Sequence, residues 1–298
     1  MAATQTITVP HLGGIKAGYA FAKDQYDPSK PTCVLMNSMC MTVSLYREQF
    51  NNQALNDAMN LLAIEPLGHG ATSSPSEHFT YWDSAHMALQ VMDHFGIQKA
   101  FALGGWIVTR MALLAPDRIL GLMPLGTSMD CESFDSRSKG CWDPAANLTV
   151  FYEKWSTPSA TPDFVVDDVW CGLVGGIGFG AAGTAEKSAF WTQTLKEVYK
   201  GDEGRKKVRM ALNCLLERDG LLLRIGDIKC PVHWLQGSED VPFGTIVPAE
   251  HIKRFTSSVD AKLVMIEGGA HYLNATNPKE VDEALLAMVM KYNRSATE

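Results

Sequence analysis

An α/β fold, built as a mostly parallel sheet with helices on both faces and a helical insertion, follows from three features of the sequence. Short apolar runs of strand length alternate with longer segments of helical period. The composition is that of a soluble globular chain, 46% hydrophobic and 20% charged over 298 residues, enough for one large domain with a complete core. The alternation stops between about Cys131 and Lys229, where helical periodicity and four of the seven tryptophans take its place (Trp142, Trp155, Trp170, Trp191).

Taken in order, residues 4–10 and 15–22 are β-rich runs about a Gly13-Gly14 turn and predict an opening hairpin. Strands are expected at 32–36, 61–64, 100–103 and 120–125, separated by helices over 43–54, 82–95 and 106–114. That order is the signature of parallel strands joined by covering helices. After the break come strands at 232–236 and 262–266, a helix at 250–255, and an amphipathic helix over 278–292. The core is therefore assigned to 1–130 and 229–298, and 131–228 to a helical lid with a glycine-rich hinge at 175–183.

Charge and cysteine usage exclude several function classes. A net charge of -7 opposes phosphate backbones, and the run Arg205-Lys206-Lys207 reads as a solvated turn, so no nucleic-acid partner is expected. Seven scattered cysteines without a C-x-x-C pair indicate neither a disulfide framework nor a zinc clip, and fit a reducing compartment. His78, His86 and His94 lie eight apart, off the spacing of helical metal pairs, so no metal is expected. The first residues show no signal-peptide pattern, no run is long enough to span a membrane, and Ser295-Ala296-Thr297-Glu298 is not a peroxisomal address. An intracellular, cytoplasmic protein follows as the expectation, with a homodimer allowed. The N-x-[ST] matches at Asn147, Asn274 and Asn293 are read as chance.

In open α/β sheets ligands sit beyond the carboxyl ends of the strands, so chemistry is sought in the loops there. Glu267-Gly268-Gly269-Ala270-His271 follows a late strand, and its small residues allow a tight loop that presents His271 as a general base. Gly237-Ser238-Glu239-Asp240 follows the strand before it. Asp240 either orients that imidazole or only forms an Asx-type turn ahead of Pro242. Acid before histidine, each after a late strand, favours the catalytic pairing. Gly178-Phe179-Gly180-Ala181-Ala182-Gly183 matches G-x-G-x-x-G literally, but no strand precedes it, so no dinucleotide and no other cofactor is expected.

These loops, with Leu35-Met36-Asn37-Ser38-Met39, Glu65-Pro66-Leu67-Gly68-His69-Gly70-Ala71-Thr72-Ser73 and the helix from Gly105-Trp106 to Pro116-Asp117-Arg118, resemble the α/β-hydrolase family over most of the chain outside the lid. More narrowly, the chain resembles fungal hydrolases of polyketide and toxin biosynthesis, the AK-toxin type included. The resemblance implies hydrolysis of an ester, thioester or lactone of a small apolar acyl or polyketide-type metabolite. It also implies that the Ser38-Met39 loop supplies an oxyanion N–H, Met39 being the favoured donor, and that His69 is a loop residue lining the pocket.

The departure from the family lies at the nucleophile. The family pattern is a strand, then G-x-S-x-G, then a helix. Here Phe101-Ala102-Leu103-Gly104-Gly105-Trp106-Ile107 runs from strand to helix with no serine, as though x-S-x-G were missing between Gly104 and Gly105, and an indole cannot attack a carbonyl. A loss of four residues is about one helical turn, so the helix is expected to start later, be drawn toward the strand, or fray. Three outcomes stay open: an impaired hydrolase, His271 chemistry without a covalent intermediate, or a pseudo-hydrolase that binds a metabolite or partner.

Overall fold

The structure is a computed structural model that describes residues 4–23 and 25–293. The terminal residues Ser295 to Glu298 lie outside it. Eight strands form one sheet: β1 (Gln5–Val9), β2 (Ile15–Phe21), β3 (Thr32–Met36), β4 (Asn60–Ile64), β5 (Ala100–Gly104), β6 (Ile119–Pro124), β7 (Val232–Gly237) and β8 (Ala261–Ile266), in spatial order β1-β2-β4-β3-β5-β6-β7-β8. The hairpin β1–β2 joins β4 antiparallel, and every other pairing is parallel. Strands β3, β4 and β5 are buried at every residue, as continuous apolar runs must be when both faces are covered. Their side chains alternate between two cores: Val34, Met36, Ala100 and Ala102 enter one, and Cys33, Leu35, Phe101 and Leu103 the other.

Helices α1 (Arg47–Asn51), α2 (Gln53–Ala58), α3 (Tyr81–His94) and α4 (Trp106–Leu114) follow the first strands. The start of α3 is set by a capping box in which Thr80 and Asp83 each satisfy the other's backbone N–H. The single helix expected over 43–54 is instead a 3₁₀ turn (Val43–Tyr46) followed by α1 and α2. Asn52, extended at ψ 111°, ends one helix and caps the next by accepting from Leu55 N–H, the competition with the backbone that makes Asn a breaker.

Between β6 and β7 run α5 (Phe134–Ser138), α6 (Pro144–Trp155), α7 (Asp168–Phe179), α8 (Ala185–Val198) and α9 (Gly201–Leu216). Leu148, Phe151, Trp155 and Trp170 enter the same core as Val108 and Met111 of α4, so this segment packs onto the sheet domain. Two expectations about it are corrected. Gly175, Gly176 and Gly178 lie within α7, which breaks at Gly180 (φ 49°), and Gly183 is extended after a 3₁₀ turn at Gly180–Ala182. The 205–207 run is helical rather than a solvated turn: Arg205 is buried in α9 and donates to Trp155 O and Thr161 Oγ1, satisfying the carbonyl end of α6.

The chain closes with α10 (Ile246–His251), α11 (Leu273–Thr276) and α12 (Pro278–Tyr292). The helix expected at 250–255 begins earlier and ends in a 3₁₀ turn, Ile252–Arg254. Pro248 sits in its first turn, where a missing N–H removes no helical bond. All seven cysteines are free thiols. Among the described residues no helix is long and apolar enough to cross a membrane, and no group of three or more His, Cys, Asp or Glu side chains is placed to hold a metal ion.

Candidate active site

The loops at the carboxyl ends of β3 to β8 converge on a cavity of about 90 Å³. Met36 to Met39 come from the β3 loop, Pro66 and His69 from the β4 loop, and Gly105, Trp106 and Ile107 from the β5–α4 turn. Leu125, Gly126 and Thr127 follow β6, Pro242 and Phe243 follow β7, and His271 and Tyr272 follow β8. The helical segment contributes Trp142, Ile177 and Leu215. Of its four tryptophans only Trp142 therefore faces this cavity. Trp155 and Trp170 meet edge to face with ring centroids 5.1 Å apart, and Trp191 packs on Phe179 and Phe190, because large flat rings complete the core where helices cross.

Asp240 and His271 meet here, with His271 Nδ1 3.1 Å from Asp240 Oδ2. The other carboxylate oxygen accepts the backbone N–H of Phe243 at 3.0 Å. Asp240 thus makes both contacts at once, one oxygen in the turn and the other facing the imidazole. Asp240 is buried and His271 partly so. A carboxylate acceptor at Nδ1 assigns that nitrogen the proton and leaves Nε2 as the basic atom. Gly126 (φ 43°) closes against the pair, since a Cβ there would lie 2.5 Å from His271 O and 2.8 Å from Asp240 Oδ2. Its own N–H donates to Leu235 O, and Thr127 N–H to the buried Gln236 side chain, which fixes the β6 loop beside the dyad.

At the strand-to-helix turn Gly104 has φ 153°, where a Cβ would meet Met36 O at 2.9 Å, and Gly105 is the only residue between β5 and α4. The helix directly abuts the strand: α4 starts at Trp106 and runs nine residues to Leu114. No side chain caps it, so the unpaired N–H groups of its first turn are left where Gly105, Trp106 and Ile107 meet the cavity. The Trp106 indole donates to Ser128 O at 2.7 Å and lies between Tyr81 and Phe243, each 5.6 Å away. The Arg218 guanidinium stacks on that indole, its Cζ 3.8 Å from the ring centre, and pairs with buried Glu132. Burial lowers the Arg218 pKa to about 10, and the group stays charged.

Ser38 and Met39, to which the resemblance gives an oxyanion role, line the cavity, and Met39 O accepts from the Tyr272 hydroxyl at 3.4 Å. His69 lines it too. Its Nδ1 is 2.9 Å from Leu67 O, and burial depresses its pKa to about 4. Sequence reasoning missed Gly126, Asn37 and the Trp106–Arg218–Glu132 stack. Gly126 follows β6 and could have been found by the loop rule applied to the other strands. Arg218 and Glu132 lie 86 positions apart, with no local pattern to pair them.

A family model described as alpha/beta hydrolase fold matches residues 31–139. A curated relative, the dihydrolipoyllysine-residue acetyltransferase component of the acetoin cleaving system of Pseudomonas putida, is 20% identical over 248 residues. That match covers 82% of this chain, which spans 60% of the relative's length. Among solved structures, the enol-lactonase from Burkholderia xenovorans superposes with a TM-score of 0.74 at 17% identity, covering 95% of this chain and all of the other (100%). An esterase from Exiguobacterium antarcticum gives 0.76 at 14% identity, over 96% and 100%. A hydrolase from Pseudomonas aeruginosa gives 0.73 at 20%, over 95% and 98%. At such identities the likeness is one of fold.

Proposed function

From the premise that this chain carries the α/β-hydrolase fold, we propose that it acts on a small carbonyl compound with His271 as general base and no covalent acyl-enzyme. The carrying observation is the 3.1 Å contact between His271 Nδ1 and Asp240 Oδ2 beside a turn that presents Trp106 in place of a nucleophile. His271 Nε2 takes a proton from water, which attacks the carbonyl of an ester, thioester or lactone. The imidazolium then returns the proton to the leaving oxygen or sulfur, and Asp240 holds the ring in the tautomer that this needs. Charge on the carbonyl oxygen is met by N–H groups of the Ser38-Met39 loop and by the uncapped first turn of α4.

The apolar lining from Met36, Ile107, Leu215 and Phe243 suits a small apolar acyl or polyketide-type metabolite, and the resemblance to fungal toxin-pathway hydrolases favours the same class. Replacing His271 by Ala is expected to lower kcat/KM on a panel of small esters and lactones by about 10² to 10⁴. Equal rates in a folded variant would remove the proposal.

A second reading, a metabolite binder without turnover, is favoured by one observation, the Trp106 indole that occupies the turn. Saturable, stoichiometric ligand binding with no product from either form would favour it.

A further inference from the structure

Two acceptors on residues of the cavity wall have no partner among the described residues: Nε2 of His69 and Oδ1 of Asn37. Both residues are more than nine-tenths buried, at 3% and 5% exposure. The opposite half of each side chain fixes its chemistry. Asn37 Nδ2 donates to Met41 O at 2.7 Å and to Ser38 O at 3.3 Å, so turning the amide would set oxygen against oxygen. Leu67 O can only accept, so His69 Nδ1 carries the proton and Nε2 presents a lone pair. The depressed pKa keeps that ring neutral near pH 7. Each acceptor is buried without a partner, so a ligand donor that reaches it satisfies a lone pair that an ether or alkyl group leaves unpaired.

We propose that the cavity selects compounds carrying hydroxyl groups on a small apolar body, with the hydroxyls donating to His69 Nε2 and Asn37 Oδ1. The inference rests on the reading of this cavity as the substrate site and narrows the substrate to hydroxylated esters, thioesters or lactones. The apolar body lies against Met36, Ile107 and Phe243, and the reacting carbonyl is left for His271. His69 and Asn37 are specificity residues in this account and take no part in proton transfer.

The test uses probes with no bond to hydrolyse, so binding succeeds or fails whatever His271 does. Catechol and resorcinol are titrated into the whole protein beside their dimethyl ethers, 1,2- and 1,3-dimethoxybenzene, with calorimetric detection. At least one diphenol is expected to bind about tenfold or more tightly than its ether, and His69→Phe or Asn37→Leu is expected to remove most of that preference. Equal affinities for phenols and ethers, or a preference unchanged in both variants, would overturn the proposal. If the variants do not fold, the ¹⁵N resonance of His69 Nε2 in the unsubstituted protein decides. A shift on adding a diphenol and none with the ether supports the proposal, and no shift with either overturns it.

Discussion

Asp240 divides its two oxygens between Phe243 N–H and His271 Nδ1, so one residue ties the β7 loop to the β8 loop. Replacing it by Asn keeps an acceptor for the Phe243 N–H but turns the NH₂ toward the imidazole. That forces the tautomer with its proton on Nε2, and activity should fall by about 10² to 10⁴ with little change in melting temperature. Kinetics beside a thermal melt check this, and an unchanged rate would show that the pair does not act. His69 gives a second residue-scale expectation. Its folded pKa of about 4 lies below the ordinary histidine value of 6.5, so the unfolded chain binds more protons between the two. Stability is then full above the unfolded pKa and falls as pH drops through this window, by about 1 kcal/mol between about pH 7 and pH 5.5. Urea titrations at the two pH values should show this difference shrink in His69→Asn. His271 and Asp240 were legible because each follows a strand in a loop of small residues, whereas Asn37 was not, since an unpaired oxygen leaves no trace in a sequence pattern.

The helix of the inserted segment that contacts the β8 loop beside His271 is α7. Its Gly178 carbonyl accepts the Tyr272 N–H at 2.8 Å, one residue past His271, and a Cβ at Gly178 would lie 1.9 Å from the Tyr272 ring. Gly178→Ala is therefore expected to push α7 off the β8 loop and to cost about 1 to 3 kcal/mol, as overpacked contacts do. It should also lower activity through His271. Thermal denaturation and kinetics on one variant check both, and a stable, active Ala variant would contradict the packing. The same glycines read from sequence as a hinge, because a helix that needs Gly for close approach and a loop that needs it for freedom look alike in one dimension. Strands β3 to β5 were legible to within a residue, since full burial leaves an unbroken apolar run. The boundaries of α10 were not, because Pro248 is tolerated in a first turn and is as common just outside one.

At the scale of the whole molecule, the sheet order and the convergence of six loops on one cavity follow from the alternation of strand and helix, which is why the fold could be read before the site. At the β5–α4 turn, α4 abuts the strand with Gly105 alone between them and no serine in the turn. Inserting Thr-Ser-Gln-Gly between Gly104 and Gly105 should rebuild a nucleophile turn, displace Trp106 from the cavity and make the protein react with serine-directed fluorophosphonates. A folded insertion variant that stays unlabelled would show that His271 does not activate a serine placed in this turn. The most direct test of general-base action by His271 is intact-mass spectrometry of the unsubstituted protein while it turns over a small ester or lactone. The account predicts that product accumulates while the protein keeps its unmodified mass. An acyl adduct that builds up and drains with turnover, and is lost with His271→Ala, would contradict it.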